Sequence, residues 1–362
     1  MKELSEEVNV KQENINATEN RCLIDYLSFT IPHSTSENVI TNILKLDYEH
    51  FTKFIGSSFN TYDGRLAFAD MKIHTSTHHS NILVDFSAKA CRQYEEYMSV
   101  ADGWTWYEFI KAILENRGKP SRIDLALDIF DESSPSVKQL QDYVKRGQLS
   151  TRSQRFRENN GGRTLDGKLD GHTLYIGASP QMLRIYDKVS EMKAKGKSVD
   201  VDKWVRWELH LSGKKAMTVI KYIADGVPLN NIIRGILNAH YSFKTQQKGK
   251  IDYNNKSKWS TMRWWDKFIE DIPKIPLRTE KKKLTMANTE QWIQDSVSKP
   301  LAMQLIAMSR VFGNDDAKQY MTSVLTHGKN KINHYDEAVI EQYVRELQGT
   351  KDYAYTGGKY ES

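Results

Sequence analysis

Three stretches of this chain alternate apolar and polar residues with period two, the mark of strands that bury one face. In 122–130, Ile123, Leu125, Leu127 and Ile129 fall on one side, and Arg122, Asp124, Ala126 and Asp128 on the other. In 183–188, Arg184, Tyr186 and Lys188 share a face. In 204–211, Arg206, Glu208 and His210 share a face, with Trp207 on the opposite, core-facing side. Pro120-Ser121 before the first strand, the 131–135 turn cluster after it and Gly213 after the third act as stops.

Further patterns predict a strand over 21–31, an amphipathic helix over 36–46 and a β-meander over 60–87 with a turn at 62–65. Helices are expected over 104–116 and 135–146, then a hairpin over 171–188 turning at Gly177-Ala178-Ser179-Pro180, and a helix over 188–196. Strands and helices without regular βαβ alternation predict an α+β fold. From Lys214 the period becomes helical, over 214–225, 228–240, 258–271, 288–310, 314–326 and 333–348. Pro273, Pro276 and the lysines 281–283 mark a linker, and 246–250 a loop. The expected division is a disordered tail 1–20, a catalytic domain 21–215, a mostly helical region 216–348 and a loose tail 349–362.

The three polar faces hold Asp, Glu, His, Arg and Tyr rather than the Lys, Thr and Ser common on solvated sheet faces. Carboxylates and imidazole are ligands for Mg²⁺ or Mn²⁺. A phenol between Arg184 and Lys188 is placed to meet a phosphate, and the cations would stabilise phenolate. The alternative is a solvated outer face with no site. His78-His79 are adjacent and read as a polar turn.

Charge sharpens the picture. Residues 144–260 hold 23 Lys and Arg against 10 Asp and Glu, although the whole chain is only +6. This basic stretch surrounds Tyr186 and opens with Lys145, Arg146, Arg152, Arg155, Arg157 and Arg163 around Asn159-Asn160-Gly161-Gly162. It reads as a mobile DNA-contacting arm, with an ordinary surface loop as the alternative. Two distant cysteines, Cys22 and Cys91, exclude a disulfide scaffold or zinc ribbon and point to a reducing compartment. No apolar run spans a membrane and no signal-peptide pattern opens the chain, so a soluble, cytoplasmic protein without membrane partners is expected. There is no P-loop, so ATP-driven unwinding is not intrinsic.

Together, Arg-x-Asp-x-Ala-x-Asp at 122–128, Tyr-x-Gly at 175–177, Arg-Ile-Tyr-Asp-Lys at 184–188 and Arg-x-Glu at 206–208 resemble the Rep_trans family. That family comprises rolling-circle plasmid replication initiators and the related relaxases of integrative conjugative elements. The opening strand at 25–30, the segment 84–92 and the Trp-rich pieces 264–268 and 292–293 are similar too. Ala88 and Ala90 stand where the family has glycines, and His210 where some relatives carry a second Glu. The resemblance implies an antiparallel-sheet nickase with helices on one face and the active site on the other. It implies Tyr186 as the nucleophile that joins the 5′ end of a nicked origin strand, helped by Arg184 and Lys188. It implies Asp124, Glu208, His210 and, less centrally, Asp128 as ligands of Mg²⁺ or Mn²⁺. DNA contacts are expected from Arg152, Arg155, Arg157, Arg163 and Arg206. The implied partners are single-stranded or hairpin origin DNA, a PcrA-type helicase and a second copy of the chain. A non-catalytic, repressor-like DNA binder and a water-using nuclease are the competing readings.

Overall fold

The structure, a computed structural model, describes residues 19–162, 164, 169–245, 256–277, 286, 289–290 and 293–349. Of the expected tails 1–20 and 349–362, residues 1–18 and 350–362 lie outside the described residues, as do the loop 246–250 and the lysines 281–283. A single ten-stranded sheet dominates, with every neighbouring pair antiparallel. Its strands are β1 (Arg21–Ile31), β2 (Thr52–Ile55), β3 (Gly64–Phe68), β4 (Met71–Thr75), β5 (Ile82–Phe86), β6 (Lys119–Ile129), β8 (Phe156–Gly162), β9 (Leu169–Ala178), β10 (Gln181–Asp187) and β11 (Val205–Ser212). Their order is β2-β3-β4-β5-β1-β6-β11-β10-β9-β8. A second, two-stranded sheet pairs β7 (Leu149–Thr151) with β12 (Tyr241–Phe243).

Period-two burial holds in the centre of the large sheet. Ile123, Leu125, Leu127 and Ile129 of β6 and Trp207, Leu209 and Leu211 of β11 are at most 1% exposed and belong to one continuous apolar core. Trp207 is core as expected, and its indole N–H donates to the buried Ser134 hydroxyl at 3.1 Å. β6 starts beside Gly118, where an added Cβ would lie 2.6 Å from the Ile113 carbonyl, so only glycine fits that approach.

Helices cover the apolar face. They include α2 (Ala88–Val100), α3 (Trp106–Glu115), α4 (Val137–Lys145), α6 (Lys214–Ala224), α7 (Leu229–His240) and α8 (Arg263–Ile269). Ser136 caps α4 in a reciprocal box with Gln139. The expected helix 36–46 is a short α-turn, Ser36–Asn38, continuing as a π-helical stretch, Val39–Ile43. The helix α2 was not expected. Its buried residues, Ala90, Cys91, Tyr94 and Met98, form a narrow stripe, and the segment of Ala88 and Ala90 opens it.

Two expectations need correction. The stretch 156–162 is no mobile arm: it is edge strand β8, paired along β9. The boundary at 215 is also displaced. Ala216, Val219, Ile220, Ile232, Ile236 and Phe268 lie in the same core as the sheet, and the chain divides into compact units 1–279 and 280–362. A change of hydrophobic period marks a change of element, whereas a domain boundary depends on which core the new element fills. The second unit contains helices Ser298–Phe312, Asn314–Lys329 and His334–Gly349. No described helix is long and apolar enough to cross a membrane.

Candidate active site

In the sheet order β6-β11-β10, the three charged faces become one surface. Register sets Asp124 opposite His210, Ala126 opposite Glu208 and Asp128 opposite Arg206. On the other side of β11, Arg184 lies opposite Glu208 and Tyr186 opposite Arg206. Glu208 therefore sits between the Asp124–His210 pair and the tyrosine.

Tyr186 is 5% exposed. Its hydroxyl donates to Glu208 Oε2 at 3.4 Å, and the same oxygen accepts from Arg184 Nη2 at 2.5 Å. The Arg184 guanidinium lies 4.4 Å from the Tyr186 ring centroid and the Lys188 ammonium 5.5 Å from it. The expected stabilisation of phenolate by these cations is outweighed. Burial pushes the phenol above its ordinary value, Arg206 and Arg184 oppose this, and Glu208 adds to it. The Glu208 carboxylate is the hydrogen-bond acceptor within reach of the phenol. Lys188 has left the strand. Asp187 ends β10 and caps α5 (Lys188–Ala194), accepting from the Ser190 N–H at 3.0 Å, and the Lys188 ammonium pairs with Glu191.

Glu208 carries a raised pKa, chiefly from burial; Arg184 lowers it, and the nearby Asp25 and Asp124 charges raise it. Asp124 behaves oppositely. Burial works to raise it, but hydrogen bonds from His210 and Arg122 outweigh that and hold it below the usual carboxylate value. Arg122 grips Asp124 with two nitrogens, at 3.0 and 2.5 Å. His210 Nδ1 lies 3.1 Å from Asp124 Oδ1, which turns Nε2 away from that carboxylate.

These residues do not stand as a ready-made cation cage: among the described residues no three His, Cys, Asp or Glu are grouped as ligands. The donor chemistry of Asp124, His210 and Glu208 nonetheless suits a hard divalent ion. Asp128 drops out of the ligand set. It is fully buried, and Arg206 binds both its oxygens at 2.6 and 2.8 Å while Arg21 binds one at 3.0 Å. Arg206 drops out of the DNA contacts for the same reason: it is 5% exposed and also holds Asp25 at 3.0 Å.

Asp25, Tyr26 and Asp85 complete this face and were missed. A β-bulge between Ile24 and Tyr26 turns both Asp25 and Tyr26 towards it. The sequence signal was the pair of adjacent polar residues between Ile24 and Leu27, a break in alternation. The Tyr26 hydroxyl donates to Asp85, and Arg122 stacks 3.9 Å from the Tyr26 ring centroid.

A cleft of about 720 Å³ opens beside Tyr186, lined by Tyr175, Arg184 and Glu191 and by Asn159 and Gly161 of β8. Arg157 stacks 4.5 Å from the Tyr175 ring centroid. Arg152 and Arg155 line a different cleft, and Arg163 lies outside the described residues.

Residues 118–325 match Rep_trans, described as replication initiation factor, and residues 21–112 match the N-terminal domain of rolling-circle replication initiation proteins. The chain belongs to the replication initiation factor family. Within this family it is 26% identical over 291 residues to the putative DNA relaxase NicK of Bacillus subtilis (strain 168), covering 79% of this chain and 81% of that protein. It is also similar to the solved rolling-circle replication initiator protein of Geobacillus stearothermophilus, with a TM-score of 0.62 and 25% identity over 72% of this chain and all of the other.

Proposed function

We propose that this protein nicks and rejoins one strand of origin DNA through Tyr186, initiating rolling-circle replication or conjugative transfer. The observation that carries the reading is the Tyr186 hydroxyl within hydrogen-bond reach of Glu208, with Arg184 bound to that same carboxylate, beside an open cleft. Glu208 accepts the phenol proton as the Tyr186 oxygen attacks phosphorus. The bond from phosphorus to the 3′ oxygen breaks, and that oxygen leaves as a hydroxyl after taking a proton from water. The 5′ phosphate stays on Tyr186 as an aryl ester, which keeps the bond energy for rejoining without ATP. Arg184 and Lys188 place positive charge beside the phosphate oxygens as charge builds there. Asp124 and His210, with Glu208 alongside, are the residues that would hold Mg²⁺ or Mn²⁺. Such an ion, when bound, supplies Lewis-acid polarisation of a phosphate oxygen. A separate helicase does the unwinding in this reading.

The direct test is incubation with supercoiled origin DNA and a divalent ion. Relaxation with protein attached to the 5′ end supports the proposal. Intact but shifted DNA would favour a binder, and nicked DNA without an adduct a hydrolytic nuclease.

Metal removal gives a second expectation. EDTA should abolish nicking, and Mg²⁺ or Mn²⁺ should restore it. Asp124→Ala should lose most of the rate and His210→Ala less, with a shift of preference away from Mn²⁺ because the softer imidazole donor is gone. Full nicking by Asp124→Ala at limiting metal would remove Asp124 from the ion's site.

A pH profile tests Glu208. Its raised pKa means that the carboxyl holds its proton further up the pH scale than an ordinary glutamic acid, whose value is 4.5. Only the ionised form can accept the phenol proton, so single-turnover nicking should rise with pH along an acid limb set by this carboxyl. Glu208→Gln should flatten the limb. An unchanged limb in the variant would assign the proton to another group.

A further inference from the structure

Far from Tyr186, at the turn end of the β9–β10 hairpin, four cations meet from separate parts of the chain. Arg152 and Arg155 come from the segment between β7 and β8, Lys215 from the first turn of α6, and Lys274 from the chain after α8. They line a cleft of about 1000 Å³. His240, the last residue of α7, sits among them. Among the described residues, no Asp, Glu, Phe, Tyr or Trp lines this cleft. An adjoining cleft of about 700 Å³ shares Arg152, His240 and Lys274 and adds Lys244 together with Asp266 and Asp271.

Asp266 and Asp271 line only the adjoining cleft, so the cleft of Arg152, Arg155, Lys215 and Lys274 keeps an excess of positive charge among its described lining residues. Lys215 donates to the Gln181 side-chain oxygen, a neutral partner. His240 accepts from the Leu277 N–H at 3.2 Å, so its ring nitrogen is used in holding the cleft wall. Burial, then Lys215 and Arg152, push the His240 pKa down to about 4. By contrast, Lys145, Lys188 and Arg184 nearby in sequence each have a carboxylate partner.

Gln181 has the strand parity of the buried Leu183 and Ile185, opposite to that of Arg184 and Tyr186. The cleft therefore opens on the helical side of the sheet, five residues, or about 17 Å of strand, from Tyr186. A single strand threading the active site needs stacking surfaces as well as cations. This cleft offers only cations, which suits a ligand whose bases are already stacked inside and which presents phosphates alone.

We propose that the cleft formed by Arg152, Arg155, Lys215 and Lys274 binds the sugar–phosphate backbone of the duplex arm that flanks the nicked strand. The proposal rests on the nicking reading for its choice of ligand. It adds Lys215 and Lys274, and it places duplex anchoring in the same compact unit as Tyr186 rather than in the C-terminal helices.

The test compares full-length wild type with Lys215→Gln/Lys274→Gln on two DNAs: a single strand spanning the nick site, and the same strand with a duplex arm. The measured quantity is the ratio of the two affinities and its salt dependence. The double variant should lose roughly tenfold of the preference for the armed DNA, and its log–log salt slope on that DNA should fall by about 2. Lys274 is exposed, so Lys274→Gln alone carries the same test with a slope change of about 1 should the double variant unfold. An unchanged ratio and slope, or an equal loss on both DNAs, would overturn the proposal. Failure of wild type to form a Tyr186 adduct would sink the nicking reading instead, a result independent of the affinity ratio.

Discussion

Tyr186→Phe is expected to abolish the covalent protein–DNA adduct and with it both nicking and rejoining. The loss should be at least about 1,000-fold, the scale on which removal of a catalytic nucleophile acts. The substitution deletes one oxygen from a ring that is already packed. Its hydroxyl makes one long hydrogen bond, to Glu208, and Arg184 still satisfies that carboxylate. The stability cost should therefore stay under about 1 kcal/mol. Origin binding should persist, because the cations around the site and in the distal cleft are untouched. The measurement is an end-labelled origin strand resolved on a denaturing gel, with thermal unfolding of the same sample. An adduct in the variant would place the nucleophile elsewhere. Tyr175 would be the first alternative: it lies opposite Arg184 on β9 and lines the same cleft.

The strands that carry this chemistry were legible because each buries one face. In β6 and β11, alternation of large aliphatics with charged residues leaves only one way to orient the strand. The order β6-β11-β10 was not legible, since pairing across 78 residues of chain leaves no local trace. Without register, Asp128 stayed in the ligand set as a lesser candidate beside Asp124. Register puts Arg206 opposite Asp128 and His210 opposite Asp124, and that difference separates a buried ion pair from a candidate ligand. Burial also reversed the expectation for the phenol, because desolvation depends on what covers a residue rather than on its neighbours in sequence. The edge strand β8 was read as a loop because Asn159-Asn160-Gly161-Gly162 has no apolar face, and an outermost strand can form without one. Helices α6, α7 and α8 were read as part of a separate region although they complete the core that the sheet begins.

The Arg206–Asp128 pair leads to the second large effect, one of stability. Asp128→Ala should destabilise the fold by about 3–5 kcal/mol, because it strands a buried guanidinium. Arg206 would keep only Asp25, at 3.0 Å, and Arg21 would lose its partner. Double replacement by Arg206→Met/Asp128→Leu should cost less, since it removes both charges together. The pair also sets a pH dependence. Burial would raise the Asp128 carboxyl, but hydrogen bonds and charge from Arg206 outweigh it and hold the group below its ordinary value of 3.8. A carboxyl depressed in the folded state contributes its full stabilisation above the unfolded value and loses it as pH falls through the lower folded value. The stability gap between wild type and Asp128→Ala should therefore be constant near neutrality and narrow only in strong acid. Denaturant unfolding at several pH values measures both the gap and its closure. The metal concentration for half-maximal nicking should be the same in folded Asp128→Ala as in wild type. A variant of wild-type stability that needs far more metal would instead return Asp128 to the ligand set, with Arg206 as its counter-ion only while the metal is absent.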